Sequence, residues 1–285
     1  MEGNCKKGNN CNFVHDEKIC LDWWEGNCNK QNCSLKHGLE TKNNFNDKTS
    51  NSRNIRRSNK RRSNKRRIKN TETFDPCYDP MDMKIVSVSA NTEVYPREVF
   101  SNEVIIVNNL FCNDNDLSIY NNLLKEINNS GIKDDDLWKL WHGDSHMIAD
   151  DKKPWKKECP TFKMIIDKIE KYFDMNIKAT RFNWYRDSKE WKPFHHDAAA
   201  VKPDKAKTQN FTVAVSFGSE REAAFEHAKT RTKISVPLPN GSVYIFTKDV
   251  NIEWRHGILQ VPPEKAHLNG RISIIAWGWV KMTDK

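Results

Sequence analysis

Six strand-length runs between residues 179 and 280 constrain this chain more than any other feature. Ala179–Tyr185, Phe211–Phe217, Ala223–Ala228, Thr232–Val236, Ser242–Thr247 and Arg271–Val280 all carry β-branched or aromatic residues, with turn-forming residues between them. Asn240-Gly241 marks a tight turn ahead of the fifth run. Such a series closes into a sandwich or barrel. Two helices are expected before it. Asp114 or Asp116 caps a segment with Leu117, Tyr120, Leu124 and Ile127 on one face. Pro160 suits a first helical turn and is followed by Phe162, Ile165, Ile166, Ile169 and Phe173 at helical spacing. Helices first and strands afterwards predict an α+β fold.

That globular texture begins near Asp75. Residues 41–74 are rich in Asn, Ser, Lys and Arg and read as a basic, disordered linker. The net charge of +9 is concentrated there: residues 51–70 hold ten Lys/Arg and no acid, and the rest of the chain carries −1. A local basic tract suits phosphate binding or nuclear import, and equally a solvated tether. No apolar run approaches the ~18 residues of a membrane helix, and the N-terminus has no apolar core of a secretory signal. The expected location is therefore intracellular, nucleus or cytoplasm, with no membrane partner.

Five of the eight cysteines fall within the first 33 residues. In a reducing compartment such clustering favours metal over disulfides. Cys20, Cys28, Cys33 and His37 supply four thiolate and imidazole ligands within 18 residues, which suits tetrahedral Zn(II). The spacing resembles a CCCH-type zinc finger, a module associated with RNA. Cys5, Cys11 and His15 match the last three ligands of a second finger. That first finger is incomplete: it is degenerate, begins upstream, or takes a ligand from elsewhere. Phe13, Trp23 and Trp24 either stack on bases or form the fingers' small cores. The expected organisation is thus fingers over 1–40, linker over 41–74 and a catalytic domain over 75–285.

The chemistry is concentrated in RFNWYRDSKEWKPFHHDAAA, residues 181–200. On a strand, His195 and Asp197 share a face, and a third ligand would come from His227, His256 or His267. Two His and one carboxylate with open positions suit a non-haem Fe(II) oxygenase. A buried arginine such as Arg271, opening an apolar strand, suits a bidentate bond to a dicarboxylate co-substrate.

Residues 181–280 resemble the catalytic core of the AlkB-type Fe(II)/2-oxoglutarate dioxygenases. Asn183-x-Tyr185, His195-x-Asp197, SFGSEREAAFEH (216–227), NGSVYIF (240–246), WRHGI (254–258) and Arg271-Ile-Ser273 follow in the family's order. The resemblance implies a double-stranded β-helix, or jelly roll. It implies Fe(II) on His195, Asp197 and His256, and 2-oxoglutarate held by Arg271, Asn183 and Tyr185. Arg221 would be structural or lie at the substrate edge, His196 would point outward, and His227 and His267 would be surface or core residues.

Two departures stand out. The family often has a second arginine six residues after the first. Here that position is Trp277, with Lys248 or Lys281 as candidate substitutes. A base-contacting acid found in some members is replaced by Ala199.

The implied reaction couples decarboxylation of 2-oxoglutarate to succinate with hydroxylation of a substrate C–H. An N-methyl group so oxidised leaves as formaldehyde. The expected substrate is an N-methylated base in single-stranded RNA, taken by a monomer. Alkylated DNA, a protein side chain, or RNA binding without catalysis are the alternatives. Trp138, Trp141, His142, His146 and Trp155, in the segment 137–157, would form a substrate lid.

Overall fold

A computed structural model describes residues 79–141 and 145–283. The finger ligands Cys5, Cys11, His15, Cys20, Cys28, Cys33 and His37, the basic linker and His142 lie outside them.

Two strands open the domain, against the expectation of helices first. They are β1 (Lys84–Ser89) and β2 (Glu103–Asn108), which run parallel. Then come helix α1 (Ser118–Asn128), the short α2 (Asp134–Leu137), β3 (Trp138–Leu140), β4 (Met147–Ala149), a 3-10 turn at Pro154–Glu158 and helix α3 (Pro160–Phe173). The remaining elements are β5 (Asn176–Tyr185), β6 (Lys192–His195), the short helices α4 (Ala198–Val201) and α5 (Pro203–Ala206), β7 (Phe211–Gly218), β8 (Arg221–His227), β9 (Lys233–Leu238), β10 (Val243–Thr247), α6 (Lys248–Glu253), β11 (Trp254–Ile258) and β12 (Arg271–Trp279).

The strands form two sheets. One has eight strands in the order β1-β2-β10-β7-β12-β5-β4-β3, antiparallel except for β1–β2, and the other has four in the order β6-β11-β8-β9. This arrangement is consistent with a double-stranded β-helix core.

Strand alternation divides the large sheet into two faces. On β7 and β12, Val213, Val215, Phe217, Ile272 and Ile274 turn outward and pack with Leu123 and Ile127 of α1 and Phe162, Ile165 and Ile169 of α3. Each such side chain contributes about 1.5–3 kcal/mol on burial. The opposite face looks into the barrel, where Tyr185, Ala214 and Ile275 meet Phe225, Phe246 and Ile258. Thr212, Ser216, Arg271, Ser273 and Trp277 share that inward register, so the larger sheet carries an apolar outer face and a partly polar inner one.

Local chemistry explains the helix ends. Asp116 accepts from the Ser118 amide at 2.9 Å at the start of α1. Pro160 opens α3, where Glu126 of α1 accepts from the Thr161 amide at 2.9 Å. Asp174, at φ 47°, closes α3 in the left-handed conformation. In the predicted Asn240-Gly241 turn, Gly241 has φ +75°, and a Cβ there would lie 2.3 Å from the Cys112 carbonyl oxygen.

The segment 137–157 is not a detached lid. β3 and β4 form a hairpin, and β4 joins β5 through Met147–Trp184 and Ile148–Asn183. Trp138 and Trp155 are buried against Phe182, with Trp155 also against Phe162, so their faces are not offered to a base. No helix among the described residues is long and apolar enough to cross a membrane.

Candidate active site

His195 ends β6, and Asp197 lies two residues beyond it, at the start of α4 rather than on the strand. The backbone stays extended at Asp197 (φ −72°, ψ 158°), which preserves the alternation the strand reading relied on. His256 lies opposite His195 on β11. The three buried residues offer ligand atoms all within 4.8 Å of one another. Both histidine Nε2 atoms face Asp197 Oδ1, at 3.8 Å from His195 and 3.5 Å from His256.

Surrounding groups leave the correct atoms free. His195 Nδ1 lies 2.9 Å from the Pro193 carbonyl, which accepts its N–H and leaves the Nε2 lone pair for a metal. Asp197 Oδ2 accepts from Thr212 Oγ1 at 3.2 Å and from Trp277 Nε1 at 2.7 Å, while Oδ1 turns to the histidines. Asn251 Oδ1 accepts the Asp197 amide at 3.0 Å and fixes the backbone. Burial alone would raise the Asp197 carboxyl, but the His256 and His195 imidazoles and the Lys192 ammonium outweigh it and hold the group well below the carboxylate range. Burial, with Lys192 and His256 adding to it, holds His195 neutral. Two imidazoles and one carboxylate form a donor set that fits Fe(II).

Arg271 opens β12, opposite Tyr185 on β5. Its Nε donates to Ser216 Oγ at 2.8 Å, and its guanidinium sits 5.1 Å from the Tyr185 ring centre. Both terminal nitrogens are buried without a hydrogen-bond partner. A buried guanidinium with its fork unmatched is a receptor for a carboxylate, so the residues fit the distal end of 2-oxoglutarate.

Asn183 and Tyr185 are both buried. Asn183 Nδ2 donates to the Ser273 carbonyl at 3.0 Å, and Asn183 Oδ1 lies 3.1 Å from His146 Nε2. His146 stacks on Tyr185 with ring centres 4.5 Å apart. Expected as a lid residue, His146 is instead fully buried structure behind the pocket, and burial pushes its pKa down to about 3. Trp141 lines the same wall, 5.2 Å from the His195 ring and 5.6 Å from that of His146.

Other expected residues stand elsewhere. His196 does not point outward: it is buried, with Nδ1 2.7 Å from the Asn251 carbonyl. His227 Nδ1 accepts from the Thr230 amide, and His267 Nε2 lies 3.4 Å from Ser219 Oγ. Arg221 donates to the Glu190 and Leu259 carbonyls, each at 2.8 Å. Lys281 is exposed on a groove lined by Tyr95 and Tyr172, and Lys248 opens α6.

The cation that accompanies the triad is Lys192, which sequence reasoning missed. Between Lys192–Ile258 and His195–His256, β6 has two residues where β11 has only Gly257. This bulge turns Lys192 to the same side as His195, where plain alternation would place them on opposite faces. A Cβ at Gly257 would lie 2.5 Å from the Lys192 carbonyl, so the glycine in WRHGI permits the close approach. Burial lowers the Lys192 ammonium pKa to about 8.

Residues 138–276 match the 2OG-Fe(II) oxygenase superfamily model. Uncharacterized protein R406 of Acanthamoeba polyphaga mimivirus is 27% identical over 105 residues, 37% of this chain and 52% of its own length. The chain therefore spans about half of that relative. The structure of OsALKBH1 aligns with 36% of this chain and 49% of its own, at 21% identity and a TM-score of 0.30.

Proposed function

We propose that this chain is a 2OG-Fe(II) oxygenase with a His195-x-Asp197…His256 facial triad, and that it is an AlkB-type demethylase of N-methylated bases in single-stranded RNA. The observation that carries the enzyme reading is the pairing of a buried triad with a buried, unmatched Arg271 guanidinium. The AlkB-type assignment is supported by the ordered elements across residues 181–280. The RNA preference is supported by the Cys20, Cys28, Cys33, His37 spacing, read as a Zn(II) finger, and by the ten basic residues of 51–70.

Iron and 2-oxoglutarate, when bound, supply oxidation of a substrate C–H by O2. The chain's own residues supply placement. His195, Asp197 and His256 would hold Fe(II), and Trp277 and Thr212 fix the carboxylate that reaches it. Arg271, itself oriented by Ser216, would hold the distal carboxylate of 2-oxoglutarate. His146, stacked behind Tyr185, backs one wall of the pocket.

The test supplies Fe(II), ascorbate and 2-oxoglutarate with methylated single-stranded RNA and DNA in parallel, and His256→Ala as control. Succinate and the demethylated nucleoside are read by mass spectrometry. Demethylation of RNA above DNA, absent in the control, is the expected result. Succinate without demethylation of either would refute the nucleic-acid substrate and turn the search to proteins.

A further inference from the structure

Lys192 is 7% exposed, and its ammonium lies 5.2 Å from the centre of the Trp141 ring. Among the described residues it makes no hydrogen bond or ion pair. A largely buried lysine whose ammonium has an aromatic face as its one close contact among the described residues is weakly compensated, because a cation–π contact returns less than burial costs. Asp197 attracts it electrostatically but makes no ion pair with it: one carboxylate oxygen is taken by Thr212 and Trp277, and the other faces the two histidines.

The placement of this charge is informative. A continuous row of rings runs from Lys192 through Trp141 to His146 and then Tyr185, with the Arg271 guanidinium at its far end. His195 touches this row at Trp141, the Lys192 end. The pocket wall therefore carries a buried cation at each end, one near the metal ligands and one away from them. Among the described residues, neither is in ion-pair contact with a carboxylate. A pocket wall with this charge pattern matches a molecule bearing a carboxylate at both ends. Trp277, which faces Asp197 from β12, donates a hydrogen bond there and brings no charge.

We propose that Lys192 is the second cation of the co-substrate pocket, receiving the 2-oxoacid carboxylate at the metal-facing end while Arg271 receives the distal one. The proposal rests on the 2-oxoglutarate reading of the site.

Binding rather than turnover provides the test. The full chain, loaded with Mn(II) and kept free of O2, is titrated calorimetrically with 2-oxoglutarate and with 2-oxobutyrate, which lacks the distal carboxylate. Lys192→Met should weaken both ligands by at least about tenfold. Arg271→Met should weaken 2-oxoglutarate alone, and Lys192→Arg should recover most of the Lys192→Met loss. Removing an uncompensated buried charge should also raise the melting temperature of the metal-free protein by about 2–4 °C.

Undiminished 2-oxoglutarate binding by Lys192→Met, with normal binding by the wild type, overturns the inference alone. Loss of 2-oxoglutarate but not 2-oxobutyrate binding overturns the assignment to the metal-facing end. A lower melting temperature shows that the ammonium is already compensated, which also overturns it. A wild-type protein that binds no 2-oxoglutarate removes the oxygenase reading, and this inference with it.

Discussion

Trp277 donates its indole N–H to Asp197 Oδ2 at 2.7 Å, a bond between side chains 80 positions apart in sequence. It crosses from the larger sheet to the loop that follows β6. The bond holds one carboxylate oxygen and so reserves the other for the metal. An aromatic residue on an inward-facing strand position thus performs a polar task.

Trp277→Phe keeps the ring and removes the donor. Metal affinity should fall by about 10–100-fold with little change in folding. Titration with Mn(II) or Co(II) measures it directly. Equal affinity in the variant would mean that Thr212 alone fixes the carboxylate.

Ser216 stands in the same relation to Arg271, accepting from Nε at 2.8 Å. Ser216→Ala leaves the guanidinium in place but loosens its orientation. The dissociation constant for 2-oxoglutarate should rise about tenfold, as expected for one hydrogen bond to a charged group. Affinity for 2-oxobutyrate should not change. A parallel loss for both ligands would count against Arg271 as the receptor of the distal carboxylate.

His146 links folding to pH. Burial lowers its pKa from 6.5 to about 3, with the Lys192 ammonium adding to the effect. Between those values the unfolded chain binds a proton that the folded chain rejects, so acid favours unfolding. The contribution is fully present above pH 6.5 and falls by about 1.4 kcal/mol for each unit below it. His146→Gln should flatten that slope. Urea midpoints of the two metal-free proteins between pH 7 and 4 give the comparison, and parallel curves would refute it.

Gly241 tests the turn between β9 and β10. Alanine there meets both a left-handed backbone and the Cys112 carbonyl. Destabilisation of about 2 kcal/mol or more is expected, read as a lowered urea midpoint.

Much of this molecule was legible before its structure. The two long helices and six later strands announced themselves because each buries one periodic face or alternates across a sheet. The triad was legible for a related reason: the extended backbone at and just past β6 keeps the His195–Asp197 spacing, while the family resemblance, not the spacing, picked His256 from three candidate histidines. What stayed hidden depended on irregularity or distance. β1 and β2 were missed because their apolar runs lie ahead of the helices, where no turn signal frames a hairpin. Lys192 was missed because a one-residue bulge reverses its side, and alternation rules cannot anticipate that. The bond from Trp277 to Asp197 joins two elements that meet only after the barrel closes. His146 and the buried tryptophans read as recognition residues, since sequence alone does not tell an exposed ring from one packed on Phe182.

The hairpin of β3 and β4 reaches the rest of the larger sheet through two residue pairs, yet it brings Trp141 and His146 to the pocket. An outermost ribbon so lightly stitched opens more often than the barrel behind it. Its amides should exchange with solvent before those of the barrel, and each opening would draw back one wall of the chamber at the cost of uncovering Trp138. A co-substrate seated against that wall would act as a latch. Loaded and empty protein would then differ less in average shape than in how long this edge stays shut.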